Sequence, residues 1–306
     1  MTSTALPPIV CATDDRYLPA VTTLMRSLAA TQPQPDQLRL IILNQTLSRT
    51  AASHVDRLGR QLGLAADLRT VPPAARVAGP VTHWISDAAY LRLTIADVVT
   101  DEPRVLYLDS DTLALQDLTP LLQHPLHGAP LGAVQDAQHP TTGAGLLRHC
   151  TSYGVPTGRE YFNSGVLLLD LDTCRHNDIF GKARQFLTDH PDKARLWDQD
   201  ALNTAANDQW LRLHRRWNTF ALSPLAAQPG FTHHAEPTLP LADLIRDEHR
   251  AAILHYAGPA KPWNPEYPTG PLRDLHQRFA HHNPQTAGHS RPDRHRDTSD
   301  SSRRSA

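Results

Sequence analysis

Arg104-Val105-Leu106-Tyr107-Leu108-Asp109-Ser110-Asp111-Thr112-Leu113 is the stretch on which the fold of this chain turns. The apolar run Val105 to Leu108 predicts a buried strand. It ends in carboxylates at i and i+2. Successive side chains on a strand alternate faces, so this spacing predicts Asp109 and Asp111 on one side. Two anions held together repel each other and need a partner when buried. A divalent cation is the obvious one, because hard cations take carboxylate oxygens. In an open α/β sheet, ligands collect beyond the carboxyl ends of the strands, which is where this pair would sit. A pair of surface aspartates in a turn is the alternative. The apolar strand in front favours the metal.

The flanking sequence alternates strand and helix. Ile9 to Thr13 reads as a strand. From Tyr17, Leu18, Val21, Leu24, Met25 and Leu28 recur at helical spacing, with Pro19 in the first turn. Leu38 to Leu43 is a second strand, Leu47 to Leu62 a helix stopped by Gly63, and Ala66 to Val71 a third strand. This pattern predicts βαβ units and an α/β fold with a mainly parallel central sheet. Residues 86–99 read as an amphipathic helix capped by Ser86 or Asp87. Beyond the Asp109 strand come strands over Leu131 to Val134 and Val166 to Leu171, then helices over Asp178 to Asp189 and from Trp197. Short strands over Trp210 to Leu213 and Ala251 to Tyr256 follow, and a last helix over about 271–282. Residues 135–159 read as a long loop, and 223–240 as a Pro- and His-rich one. The boundaries predicted are one domain over 7–282 and a disordered tail over 283–306, rich in Ser, Arg, Asp and His.

Composition narrows the function. The 306 residues carry 30 Lys and Arg against 31 Asp and Glu, a formal net charge of -1, so no overall field draws the chain to nucleic acid or anionic lipid. Hydrophobic residues make up 40%, enough for a sizeable core. No long apolar segment and no signal-peptide pattern at Met1 to Pro8 is seen, so a cytoplasmic protein is expected. Cys11, Cys150 and Cys174 are odd in number and widely spaced, which predicts reduced thiols; a cysteine nucleophile is the other reading. In the tail, Arg291, Arg294, Arg296, Arg303 and Arg304 are offset by Asp293, Asp297 and Asp300, with no aromatic anchor. Membrane association is therefore expected to be peripheral at most.

Further motifs could share a site with the Asp109 pair. His255-Tyr256-Ala257-Gly258-Pro259-Ala260-Lys261 follows an apolar run, so His255 sits at a strand end and could join the carboxylates on a metal. A mixed His and Asp set favours Mn²⁺ over Mg²⁺, though Mg²⁺ remains a candidate. Gly258 would allow close backbone approach to a phosphate, and Lys261 would supply a charge for it. Asp198-Gln199-Asp200 opens a helix, where carboxylates also serve as caps. Ala12-Thr13-Asp14 ends the first strand, where such folds place nucleotides, yet no glycine-rich dinucleotide or P-loop pattern follows. Arg92, in Tyr90-Leu91-Arg92, could reach a phosphate or a sugar.

Taken in order, six blocks resemble the retaining glycosyltransferases of family 8, which include bacterial lipopolysaccharide galactosyltransferases and glycogenin. They are Ile9 to Asp15, Ser86 to Leu93, Leu106 to Asp111, Tyr161 to Val166, Trp197 to Asn203 and His255 to Trp263. The resemblance implies a GT-A fold and a UDP-hexose donor such as UDP-glucose or UDP-galactose. It implies Mn²⁺ held by Asp109, Asp111 and His255. Ala12 and Asp14 would contact the uridine and Gly258 and Lys261 would grip the diphosphate, with Thr13 and Ser110 as further donor-binding residues. Arg92, Asn163, Asp198 and Gln199 would surround the donor sugar, with Asp198, Gln199 and Lys261 as the catalytic candidates. The acceptor, a glycan, a lipid-linked sugar or a small molecule, would be shaped by residues 135–159 and 223–250. The chain departs from the galactosyltransferases at Arg16, where they carry asparagine.

Two other classes use the same residues. In a haloacid-dehalogenase-type phosphohydrolase, Asp109 would be the nucleophile and Asp111 the acid/base. That family, however, puts the motif on its first strand, and here about one hundred residues of βαβ precede it. The remaining reading is a non-catalytic nucleotide-sugar-binding protein. Self-glycosylation of a tyrosine, as in glycogenin, is a further variant of transfer.

Overall fold

A computed structural model of the chain describes residues 5–75, 77, 86–144, 155–191 and 194–281. The tail over 283–306, Cys150 and the middle of the 135–159 loop lie outside the described residues. The first third is the predicted alternation: β1 (Ile9–Ala12), α1 (Leu18–Thr31), β2 (Arg39–Asn44), α2 (Arg49–Leu62) and β3 (Ala65–Thr70). Ser48 caps α2 by accepting from the Ala51 amide at 3.2 Å, and Gly63 ends it in the left-handed region at φ 70°. Next come α3 (Ile95–Val98), β4 (Arg104–Leu108), β5 (Thr112–Ala114), α4 (Thr119–Leu122), β6 (Leu131–Gln135) and β7 (Phe162–Asp170). The chain continues with α5 (Leu171–His176), α6 (Ile179–Asp189), α7 (Trp197–Ala206), β8 (Trp210–Arg212), β9 (Thr219–Phe220) and α8 (Ser223–Ala226). It closes with α9 (Leu241–Asp247), β10 (Ile253–His255) and α10 (Pro271–His281).

The main sheet has strand order β3-β2-β1-β4-β7-β6-β8. Its β1, β2, β3 and β4 run parallel, as do β6 and β8, while β7 runs antiparallel to both neighbours. Both faces are covered, and the strands show it by alternation. Val10, Tyr107 and Leu167 enter one apolar cluster with α6 and α7; Cys11, Leu106 and Leu168 enter the other with α1 and α2. Strands buried on both sides read as continuous apolar runs for this reason. Strand order reverses between β1 and β4, so the crevice opens beyond Ala12 and Leu108.

Four expectations change. Residues 87–94 form a 3-10 segment rather than an amphipathic α-helix, and the Ser86 side chain makes no cap bond. Tyr90 to Ala96 are all buried, so there is no solvent stripe for a 3.6-residue period to serve; the tighter turn stacks Arg92 over Ala89. Next, Asp109 to Asp111 do not continue the strand. They turn, with the Thr112 amide and hydroxyl donating to the Asp109 carbonyl at 3.2 and 2.7 Å, and β5 leaves for a second sheet of order β5-β10-β9. The pair meets through this turn and not through strand alternation. The 223–240 loop contains α8. Finally, β7 begins at Phe162, four residues before the predicted start, because Asn163-Ser164-Gly165 hides a strand behind polar and small residues. The register against β6 shifts there, from Ala133 opposite Leu167 to Val134 opposite Asn163. Such an irregularity re-aims side chains at a site.

Candidate active site

The main sheet supplies one wall. Tyr107 and Asp109 share a side of the chain, and the Tyr107 hydroxyl donates to Asp109 Oδ1 at 2.8 Å. Arg92, only 5% exposed, donates to the same oxygen at 2.7 Å, to the Ser164 carbonyl at 2.7 Å and to Ser164 Oγ at 2.9 Å; its Nε lies 3.0 Å from Asp198 Oδ2. Asp109 Oδ1 is thus bound by protein, and Oδ2 is turned to the cavity. Gln199 is held at both ends. Its Oε1 accepts from Asn163 Nδ2 at 2.8 Å and from the Ser164 amide at 3.0 Å, and its Nε2 donates to Asp136 Oδ2 at 3.0 Å. Asp200 faces away from the crevice: it accepts from the Arg195 and Leu196 amides and from the Tyr161 hydroxyl.

The small sheet supplies the other wall. Pairing of β10 with β5 sets His255 opposite Thr112, and the Tyr256 amide donates to the Asp111 carbonyl at 3.0 Å. His255 Nε2 stands 3.3 Å from Asp111 Oδ1 and 3.8 Å from Asp109 Oδ2. Lys261 Nζ pairs with Asp111 Oδ2 and donates to the Tyr256 carbonyl at 2.9 Å.

Charge follows from this packing. Burial would raise the Asp111 carboxyl, but Lys261 and His255 outweigh it and hold it well below the usual carboxylate range. Asp198 goes the other way: burial pushes it up to about 6 despite Arg92. Burial also raises Asp136, yet the His139 imidazole and the Gln138 and His139 amides prevail and lower it. Burial lifts the Cys11 and Cys174 thiols, which are small core hydrophobes without a partner cysteine among the described residues.

Ligand atoms of Asp109, Asp111 and His255 all lie within 4.8 Å of one another. Gly165 lets both side chains lie against the β7 backbone, since a Cβ there would overlap His255 Cε1 and stand 2.8 Å from Asp109 Oδ2. Two carboxylates and an imidazole whose ligand atoms converge in this way suit a divalent cation.

The cavity over this centre measures about 660 Å³. Of the residues singled out from sequence, Ala12, Arg92, Asp109, Ser110, Asp111, Asn163, Asp198, Gln199, His255, Gly258 and Lys261 line it. Thr13 is fully buried, and Asp14 spends Oδ1 on the Tyr17 amide at 2.8 Å, so neither is among the lining residues, while Tyr17 is. Gln138 and His139 from one predicted acceptor segment, and Leu225, Gln228 and Phe231 from the other, also line it. Sequence reading missed Asp136, Gly165 and Asn218. Asp136 carried a usable signal, a carboxylate just past the apolar run Leu131 to Val134. Asn218 carried none.

The model of glycosyl transferase family 8 matches residues 8–266. The chain belongs to that family. General stress protein A of Bacillus subtilis is 28% identical over 260 residues, covering 84% of this chain and 87% of its own length. Glycosyltransferase GlyF of Streptococcus pneumoniae is 28% identical over 273 residues; the match spans 87% of this chain and 59% of GlyF. The crystal structure of galactosyltransferase LgtC, in complex with donor and acceptor sugar analogues, superposes with a TM-score of 0.70 at 28% identity, covering 89% of this chain and 95% of LgtC. This family 8 member is therefore a glycosyltransferase with the GT-A fold, not a phosphohydrolase or a bare binding module. A nucleotide-sugar donor and a glycan acceptor follow in general from that membership.

Proposed function

We propose that the enzyme transfers a hexose, with retention, from UDP-glucose or UDP-galactose to an acceptor hydroxyl, and that Mn²⁺, or Mg²⁺ in its place, is required. The observation that carries this is the meeting of Asp109, Asp111 and His255 in one cavity with Asp198, Gln199 and Asn163. The acceptor is a glycan, a lipid-linked sugar or a small molecule presented to the wall formed by Gln138, His139, Leu225 and Phe231.

Asp109, Asp111 and His255 would hold the metal, which when bound supplies positive charge against the leaving diphosphate. Lys261 has used two of its three N–H donors, on Asp111 and the Tyr256 carbonyl, and offers the third to a phosphate oxygen. Gly258, at φ 91°, lets the backbone approach the same group, with Ser110 beside it. Arg92 directs its donors to Ala89, Ser164, Asp109 and Asp198, so its part is to hold those two carboxylates for metal and sugar. Asp198 would accept from a donor hydroxyl, and Gln199 and Asn163 would fix the ring. At the nucleotide end, Ala12 and Tyr17 would meet uridine, with Asp14 holding the Tyr17 amide. Transfer breaks the bond from the anomeric carbon to the phosphate oxygen and forms one to the acceptor oxygen. The acceptor proton passes to the departing phosphate, so a same-face route needs no side-chain base.

The one-domain reading over 7–282 is supported by β5, which leaves the main sheet only to complete a site with it. A cytoplasmic location is supported by the free, buried Cys11 and Cys174. No helix among the described residues is long and apolar enough to cross a membrane. The test is a panel of UDP-sugars with Mn²⁺, reading slow donor hydrolysis without acceptor. UDP release from one hexose donor, abolished by chelation, is the expected result. No release from any donor would overturn the reading.

A further inference from the structure

Asn218 lies just before β9, is 3% exposed, and belongs to none of the six blocks that carry the family resemblance. Its Oδ1 is 2.9 Å from His255 Nδ1, and its Nδ2 donates to Asn163 Oδ1 at 2.8 Å. The orientation of each amide here follows from groups that can act in only one sense. The Gly165 amide can only donate, and it points at Asn163 from 2.9 Å, so the Asn163 atom facing it is oxygen. The carboxylate of Asp136 can only accept, so the other end of Asn163, 3.2 Å away, is nitrogen. Asn163 Oδ1 also faces Asn218, which must turn its NH₂ that way. Asn218 is left with oxygen towards His255, and the proton of a neutral imidazole must then sit on Nδ1. In that neutral form Nε2 carries the lone pair, 3.3 Å from Asp111 Oδ1 and 3.8 Å from Asp109 Oδ2, where a cation would be shared with them.

We infer that Asn218 is a positioning residue: it selects the His255 tautomer that leaves Nε2 free for a cation, and it joins the cation centre to the Asn163–Gln199–Asp136 group. The relay starts at a backbone N–H of β7 and ends at a side chain of the second sheet, so both walls take part in presenting one nitrogen. Hydrogen bonding at the distal nitrogen is the general means by which a ligating imidazole is oriented. The inference rests on the proposed metal reading for its purpose and on the hydrogen-bond geometry for its content.

The test takes the full chain, metal-free and ¹⁵N-histidine-labelled, at about pH 8, above the ordinary histidine range. Long-range proton–nitrogen spectra, with the His255→Gln spectrum for assignment, read the tautomer, and free-ion electron paramagnetic resonance reads Mn²⁺ binding. In the unmodified protein the His255 proton is expected on Nδ1. Asn218→Leu should weaken Mn²⁺ binding by about 10–100-fold, the usual cost of losing such a partner. Asn218→Asp, which keeps an acceptor for Nδ1–H, should bind Mn²⁺ nearly as the parent does. An Nδ1 that carries no proton, or parental Mn²⁺ binding by Asn218→Leu where His255→Ala loses it, overturns the inference. Should Asn218→Leu not fold, the tautomer of the parent decides alone. If the parent binds no Mn²⁺, the metal reading fails, while the tautomer still decides the role of Asn218.

Discussion

Asp109 and Asp111 are two residues apart, yet the walls they belong to are built differently. On the main-sheet side, Asp109 joins Arg92, Tyr107, Ser164 and Asp198 in a dense buried network whose donors and acceptors are nearly all matched. On the small-sheet side, Asp111 has Lys261 and His255, at the edge of the cavity. The first wall is rigid because removing one member strands charges in the protein interior. The second is more sparsely bonded, since Lys261 meets only Asp111 and the Tyr256 carbonyl. A centre that must hold its shape and also admit a charged donor benefits from one wall of each kind.

The difference can be broken at several points. Arg92→Met leaves Asp109 and Asp198 uncompensated and should cost about 3–5 kcal/mol in urea unfolding. Lys261→Met should cost about 1–3 kcal/mol, because it leaves one carboxylate without its cation where Arg92→Met leaves two. Equal losses would remove the contrast.

Two buried groups should also respond to pH with opposite sign. His276, buried against Tyr256 and Trp263, is lowered by burial to about 4, so the unfolded chain binds its proton first. Stability from this group is full above about 6.5 and is lost as pH falls through about 4, a swing of about 3 kcal/mol. Asp198, raised to about 6, binds its proton first in the folded chain, so its contribution is full below about 3.8 and is lost as pH rises through about 6. As pH rises from about 4 to 6.5, His276→Phe should lose stability and Asp198→Asn should gain it. Parallel stability–pH curves for the two variants would contradict this assignment. A smaller effect on stability but a direct one on the centre comes from Gly165→Ala. The added methyl displaces His255 or Asp109, and transfer activity should fall by about 100-fold, as for misplacements near 1 Å.

The two walls were also unequally legible. Parallel strands covered on both faces announce themselves as apolar runs, so β1, β2 and β4 were read from sequence to within a residue or two. The crevice beyond them followed from topology. The small sheet offered no such pattern: β5 and β10 have three residues each, β9 has two, and β5 pairs with β10 across some 140 positions. That pairing, invisible to any local period, is what brings His255 to Asp111. Strand alternation does not bring the aspartate pair together; a turn between the two sheets does. Gly165 and Asn218 act through the space and the hydrogen bonds they give to others, which a residue type alone does not disclose.

The most direct test compares the parent with Asp111→Asn in UDP release from the preferred UDP-hexose with Mn²⁺ supplied. The account predicts that the variant folds, binds Mn²⁺ poorly and loses at least about 100-fold in rate, the scale of losing a cation at a developing charge. Turnover equal to the parent's would contradict it.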